Sequence, residues 1–302
     1  MASATRNLAV RACPRLSRAA WLSGVVGLMV LVTLLPACTQ QKPVSPVSVS
    51  ASAGGEPSPQ ASPSARAAAP DQVLPSRAAI ALAVRWLRRR GGVAALAVID
   101  SHGQLHGYHE NVRFAAASVV KAMLLVECLR SRAILSQGLK ADLTRMIVYS
   151  DNLATDRVFA LVGTGGLARL ARVAGMRDFT PATPWALAQV TAADQARFFA
   201  AMDRFVPAGR RKLARRLLSR FAPYRGWGIP RVAVHLGWRP FFKDGWMPTA
   251  LGQSLLQVVR LERRHARITV AVFTDGQPTP GYGVTTIRDV GWLLLAGSSR
   301  GG

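Results

Sequence analysis

Three short patterns in this 302-residue chain gather side chains that can attack a carbonyl and move protons. Ser118 and Lys121 are three residues apart in an apolar stretch that reads as helix over 115–129. That spacing sets both side chains on one face, with Cβ atoms about 5–6 Å apart. A serine hydroxyl so placed can be a nucleophile and the lysine amine its base. Lysine suits the task where arginine does not, because a desolvated ammonium can lose its proton and a guanidinium cannot. Only five of the 39 basic residues are lysines, and Lys121 and Lys243 both fall in the patterns. The start of a helix also turns N–H groups and a positive dipole end toward Ser118, which stabilises an oxyanion. The other patterns are Ser150-Asp151-Asn152, after Met146-Ile147-Val148-Tyr149, and Lys243-Asp244-Gly245, after Phe241-Phe242. Plainer readings stand beside these: a surface lysine on a helix that opens with serine, and a helix cap from Ser150 or Asn152.

In order and type the patterns resemble the S-x-x-K, S-D-N and K-T-G motifs of class A β-lactamases and penicillin-binding serine hydrolases, over about 93–295. The resemblance implies an α/β (α+β), β-lactamase-like fold, with an antiparallel sheet built from N- and C-terminal strands and a helical middle. It also implies an acyl-enzyme on Ser118. Carried over by motif, Lys121 takes the proton of Ser118, and Ser150 relays a proton to the leaving nitrogen. Asn152 binds the amide side chain of the substrate. Lys243 steadies the substrate carboxylate and holds Ser150, while Gly245 lets the substrate backbone lie along the strand. The N–H of Trp246 joins that of Ser118 around the oxyanion, and Asp151 points into the structure. The implied partner is a small-molecule β-lactam or a peptidoglycan peptide, with no cofactor and no metal, and the protein is expected to be a monomer.

The chain departs from that pattern in three places. Asp244 stands where the family has threonine, so the cleft either prefers a different substrate end or turns this carboxylate away. No glutamate occurs over 128–261, whereas class A enzymes use one between the second and third motifs to activate the deacylating water. The corresponding segment, 179–189, has no acidic side chain; Asp178 is the nearest carboxylate, either a substitute base or a loop residue paired with Arg177 or Arg172. Only 32 positions separate Ser118 from Ser150, which implies a shortened helical insert and a more open cleft. Slow release of the acyl-enzyme is therefore expected. A penicillin-binding D-alanyl carboxypeptidase and a non-catalytic wall-binding lipoprotein with a degenerate pocket are the rival readings.

Outside the patterns, the N-terminus reads as a targeting signal. Arg6, Arg11, Arg15 and Arg18 precede the apolar run 19–35, and Leu35-Pro36-Ala37-Cys38 closes it. This resembles a bacterial lipoprotein signal spanning 1–37, cut before Cys38, whose thiol takes the lipid. The chain would then be exported and lipid-anchored to the outer face of the cell membrane. An uncleaved anchor is the alternative, since 17 helical residues span about 25 Å, slightly short of a bilayer core. Residues 38–76 are Pro, Ser and Ala with few large apolar side chains, the composition of a tether. The hydrolase domain is expected over 77–298.

Of the three cysteines, Cys13 would leave with the signal and Cys38 would be modified, so Cys128 is expected alone in an apolar helix as a buried, inert thiol. The net charge is +24, and +20 without the four leader arginines. Such a surface favours anionic headgroups or acidic wall polymers, with no nucleic-acid partner expected for an exported protein. General drift toward arginine is the plainer account. Residues 210–220 read as an amphipathic surface helix through Leu213, Leu217 and Phe221. His102, His106 and His109 fall on a predicted hairpin whose alternation splits them between faces, so they do not converge as metal ligands.

The remaining pattern gives a helix at 78–87, a hairpin from 92–99 and 104–109, and helices at 143–162, 166–174 and 191–205. Strands follow at 254–261 and 267–274, then a closing helix at 285–295.

Overall fold

A computed structural model of the protein describes residues 73–222 and 226–299. The expected leader, Cys38 and all but the last four residues of the expected tether lie outside the described residues. In chain order the elements are α1 (Arg77–Arg88), β1 (Val93–Ile99), β2 (Leu105–Tyr108), β3 (Arg113–Ala115), a 3₁₀ turn at Ala117–Val119, α2 (Val120–Ser131), α3 (Gln137–Val148) and α4 (Asn152–Val173). They continue with β4 (Gln189–Thr191), α5 (Ala192–Phe205), α6 (Ala208–Leu218), α7 (Ile229–His235), β5 (Arg239–Thr249), β6 (Gly252–Arg263), β7 (Ala266–Gln277) and α8 (Pro280–Leu295). Among the described residues no helix is long and apolar enough to cross a membrane.

Five strands form an antiparallel sheet in the order β2-β1-β7-β6-β5. The N-terminal hairpin thus adds directly to the C-terminal strands, and the helices between them pack on the sheet, as expected. The reason lies in β1, Val-Ala-Ala-Leu-Ala-Val-Ile, an uninterrupted apolar run that must be covered on both faces. Ala95 and Ala97 face a core built with α2 and α5, whereas Ala94, Leu96 and Val98 face one built with α1, α7 and α8. Strand β7 divides the same way, with Phe273 on the first side and Val270 and Val272 on the second.

Helix α1 starts at Ser76, whose Oγ accepts from Ala79 N at 3.2 Å, and buries Ile80, Ala83 and Leu87 as one stripe. Arg90, just beyond its end, donates to Thr286 Oγ1 at 2.9 Å and stacks on Tyr282, tying α1 to α8. Helix α2 has no exposed face over Val120 to Leu129, Lys121 and Glu127 included, so it is central. Arg210, on the expected surface helix found as α6, donates to the carbonyls of Leu129 at 2.7 Å and Ala133 at 2.6 Å. One arginine of the basic helix thereby caps the C-terminal end of α2.

Three expectations are corrected. The helix read over 143–162 is two helices, α3 and α4, separated by Tyr149 to Asp151. The helix read from 115 begins only at Val120, because Ala115 ends a strand and Ala117–Val119 is a 3₁₀ turn. The short β3–β4 ladder and α7 were not expected; three- and seven-residue elements are too brief to show a period.

Candidate active site

Ser118 sits in the 3₁₀ turn that leads into α2. The residue before it, Ala117, has φ 43, and Ser150 has φ 53. Both are left-handed conformations that cost free energy for residues with a Cβ and persist only where their surroundings enforce them. At Ala117 the enforcement is visible. The preceding strand β3 pairs with β4, and Ala116 N donates to Ala188 O at 2.7 Å. From the other side the β5 backbone presses on the turn, because a Cβ added to Gly245 would lie 2.8 Å from Ser118 N and 3.1 Å from Val119 N. Only glycine permits that approach.

Ser150 and Asn152 bracket the start of α4. Asp151 is the cap, its carboxylate accepting from Ala154 N at 2.8 Å. The capping role that sequence assigned to Ser150 or Asn152 therefore falls on Asp151, and the two neighbouring side chains turn to the cleft. Lys121, 0% exposed, donates from Nζ to Ser150 O at 2.7 Å, Ser150 Oγ at 3.2 Å and Asn152 Oδ1 at 2.7 Å. Its ammonium also lies 4.7 Å from the Trp185 ring centroid, an attraction to the ring face. Trp185 is held in turn by its indole N–H, which donates to Asp156 Oδ1 at 2.8 Å. Sequence reasoning missed this residue. The available signal was a single large aromatic in a segment of otherwise small residues, Thr180 to Ala188.

Ser118, Ser150, Asn152, Asp244, Gly245 and Trp246 line one cleft of about 270 Å³. Lys243 is buried behind it and donates to the carbonyl of Asp244 at 2.9 Å and to its Oδ1 at 3.1 Å. Trp246, 55% exposed, stands on β5, the edge strand of the sheet, where alternate N–H groups have no neighbouring strand. Every residue singled out from the three patterns is thus in the cleft or against its wall. Two larger hollows border α7, one beside Phe221 and Ala222 that includes His235 and one facing α8, and neither holds a nucleophile.

Other candidates are placed elsewhere. Asp178 does not line the cleft: its carboxylate faces Arg113 at 3.4 Å, not Arg172 or Arg177, and its N–H donates to Asp194 at 2.8 Å. His106 Nε2 is 2.8 Å from Asp100 Oδ2, and His109 stacks on Tyr108. Cys128 is fully buried and burial pushes its thiol pKa up, as an inert cysteine requires.

A sequence model described as the β-lactamase enzyme family matches residues 136–296, and the chain belongs to that family. The matched segment holds the second and third patterns; Ser118 and Lys121 precede it. No curated protein matches the chain. Among solved structures, a β-lactamase from Sphaerobacter thermophilus has 22% identity and a TM-score of 0.60, over 73% of this chain and 97% of that one. A β-lactamase from Burkholderia vietnamiensis has 20% identity and a TM-score of 0.62, over 75% and 98%. One from Xanthomonas campestris has 16% identity and a TM-score of 0.62, over 72% and 96%. The fold is that of the β-lactamases, and at family level the protein is a serine β-lactamase-like hydrolase.

Proposed function

We propose that the protein is an exported, membrane-tethered serine hydrolase that forms an acyl-enzyme with a β-lactam or a D-alanyl amide and releases it slowly. The observation that carries this is Lys121: a fully buried amine bonded to Ser150 Oγ and Asn152 Oδ1, in the wall of the cleft that holds Ser118. Ser118 Oγ attacks the carbonyl and Lys121 receives its proton. The Lys121–Ser150 contact supplies the return path, from which Ser150, with Lys243 behind it, protonates the leaving nitrogen. Asn152 binds the substrate amide. The close approach of Gly245 to Ser118 N supports an oxyanion site formed by the N–H groups of Ser118 and Trp246.

Slow release follows from what faces Lys121. The 179–189 segment contributes the Trp185 ring, which cannot accept a proton from water, and Asp178 is engaged by Arg113 and Asp194. The same features favour a second reading, a penicillin-binding carboxypeptidase that β-lactams trap. Export and lipidation at Cys38 remain part of the proposal on the leader sequence alone.

Intact-mass spectrometry of the purified protein with a penicillin, beside a Ser118→Ala control, tests this. A lasting single adduct absent from the control is the expected result. Turnover without an adduct would overturn slow release, and neither adduct nor turnover would overturn the enzyme. Mature protein that carries lipid on Cys38 is expected from membrane fractions; an unprocessed N-terminus would overturn the anchor.

A further inference from the structure

We propose that the face built on α6 and on the loop before α3 docks on an anionic phospholipid bilayer, with Ile134 set among the headgroups and the cleft left clear of the surface. This is independent of the acyl-transfer reading, because none of the residues involved lines the cleft.

Residues 204–220 contain seven basic side chains and no acidic one. Helix α6 turns Ala214, Leu217 and Leu218 inward, so Lys212 and Arg216, one turn apart, form the opposite ridge. The carboxylates that α6 meets are Asp203 and Glu262, and Arg215, Arg260 and Arg267 already share them. Arg239 belongs to the same face, since it lies opposite Glu262 in the β5–β6 register. Arg204, Arg211, Lys212, Arg216 and Arg239 are exposed and have no ion-pair partner among the described residues. On other elements Arg113, Arg130 and Arg157 each have a carboxylate, so the bare charge is concentrated here.

Charge alone would suit any polyanion; Ile134 selects the bilayer. It is 81% exposed, more than any other large apolar side chain among the described residues. Arg210 of α6 fixes the chain just before it by donating to Ala133 O at 2.6 Å. An aliphatic side chain held beside a basic helix gains nothing from a hydrophilic polymer, but it is stabilised by leaving water for the acyl boundary of a bilayer. Basic side chains next to an anionic leaflet add to that binding. Like charge disfavours a second copy of this chain on the same face. Along β5, Arg239 and Gly245 are six residues apart, about 20 Å in a strand, so the docked face leaves the cleft open.

Hydrogen exchange of the full chain tests this, with the protein incorporated into vesicles of phosphatidylcholine alone or of phosphatidylcholine and phosphatidylglycerol in equal parts. Amides of 132–136 and of the first turns of α6 are expected to exchange roughly five-fold or more slowly in the anionic vesicles only, with α1 unchanged. Salt at about 0.5 M should remove the difference. At an unchanged melting point, Lys212→Gln with Arg216→Gln should abolish it and Ile134→Ser should reduce it. Equal exchange in the two vesicles, or protection fully retained in either folded variant, would overturn the proposal. The same protection from a soluble glycerol phosphate polymer without vesicles would overturn it in favour of a polymer site. Protection without vesicles that rises with protein concentration would overturn it in favour of a contact between copies.

Discussion

Lys121 at the cleft and Arg260 on β6 are both 0% exposed, and their surroundings differ in kind. Arg260 stacks on Phe241 and lies 3.0 Å from Asp203 and 3.3 Å from Glu262. These are ion pairs without hydrogen-bond alignment; its hydrogen bond goes to Phe199 O at 3.4 Å. Burial lowers the Arg260 pKa, and both carboxylates act against that shift. Arg215 and Arg267 share the same carboxylates, so charge is matched by charge around a guanidinium that keeps its proton in any case. Lys121 instead donates to a carbonyl, a hydroxyl and a side-chain amide oxygen, with an indole face beside it. A guanidinium keeps its proton whatever surrounds it, whereas a lysine amine is a group that can accept and release one. The first arrangement joins α5, α6 and the sheet; the second suits a base.

The largest effect expected from this contrast is a reciprocal one. Lys121→Met should slow acylation of Ser118 by about 10³-fold with little change in the urea midpoint. Arg260→Met should cost about 3 kcal/mol of stability and leave acylation of the folded protein intact. Acylation lost in folded Arg260→Met would break the comparison. Next is Gly245→Ala, whose Cβ would meet Ser118 N at 2.8 Å; a displaced oxyanion donor predicts an acylation rate lower by about 100-fold in stopped-flow traces. A near-normal rate would mean that the turn and β5 separate freely.

A smaller effect is expected at Trp185. Trp185→Leu removes both the ring face and the bond to Asp156, and a cation–π contact of about 1 kcal/mol predicts a several-fold loss in acylation with a displaced pH profile. Loss of stability with an unmoved profile would leave Trp185 a packing residue only. The smallest effect concerns a third buried charge. Burial raises the Asp100 pKa, but hydrogen bonds from His106 and from the N–H groups of Gln104 and His102 outweigh it, so the carboxyl lies below its usual range. Stability from a lowered carboxyl is complete above its unfolded pKa, near 3.9, and disappears as pH falls through the folded value. Asp100→Asn should therefore be weaker than the parent by about 1.5 kcal/mol at pH 7, the gap in urea midpoint closing below about pH 4. A pH-independent gap would contradict the assignment.

Much of the site was legible because its logic is local. The three-residue spacing of Ser118 and Lys121 gives a shared face in either an α or a 3₁₀ turn. The scarcity of lysine in an arginine-rich sequence also marked Lys121 and Lys243. Asp151 shows the limit: Ser, Asp and Asn are all good caps, and only the tertiary demand of Lys121 for Ser150 and Asn152 leaves the cap to aspartate. Trp185 was illegible for a related reason. Its partners, Lys121 and Asp156, are 64 and 29 positions away, and no pattern within the 179–189 segment points to either.

The sequence by itself determined the apolar runs of β1, β6 and β7, the apolar run 122–126 within α2, and the types of the proposed reacting groups, since these depend on residue type and short-range period. Tertiary structure alone decided where those groups meet. The left-handed backbone at Ala117 and Ser150, the press of Gly245 on Ser118, the ring of Trp185 over Lys121 and the entry of Asp244 into the cleft each join segments distant along the chain. Local propensity opposes the first two and has no bearing on the others; contact of β5 with the turn before α2, and packing of α2 on α4, bring these segments together.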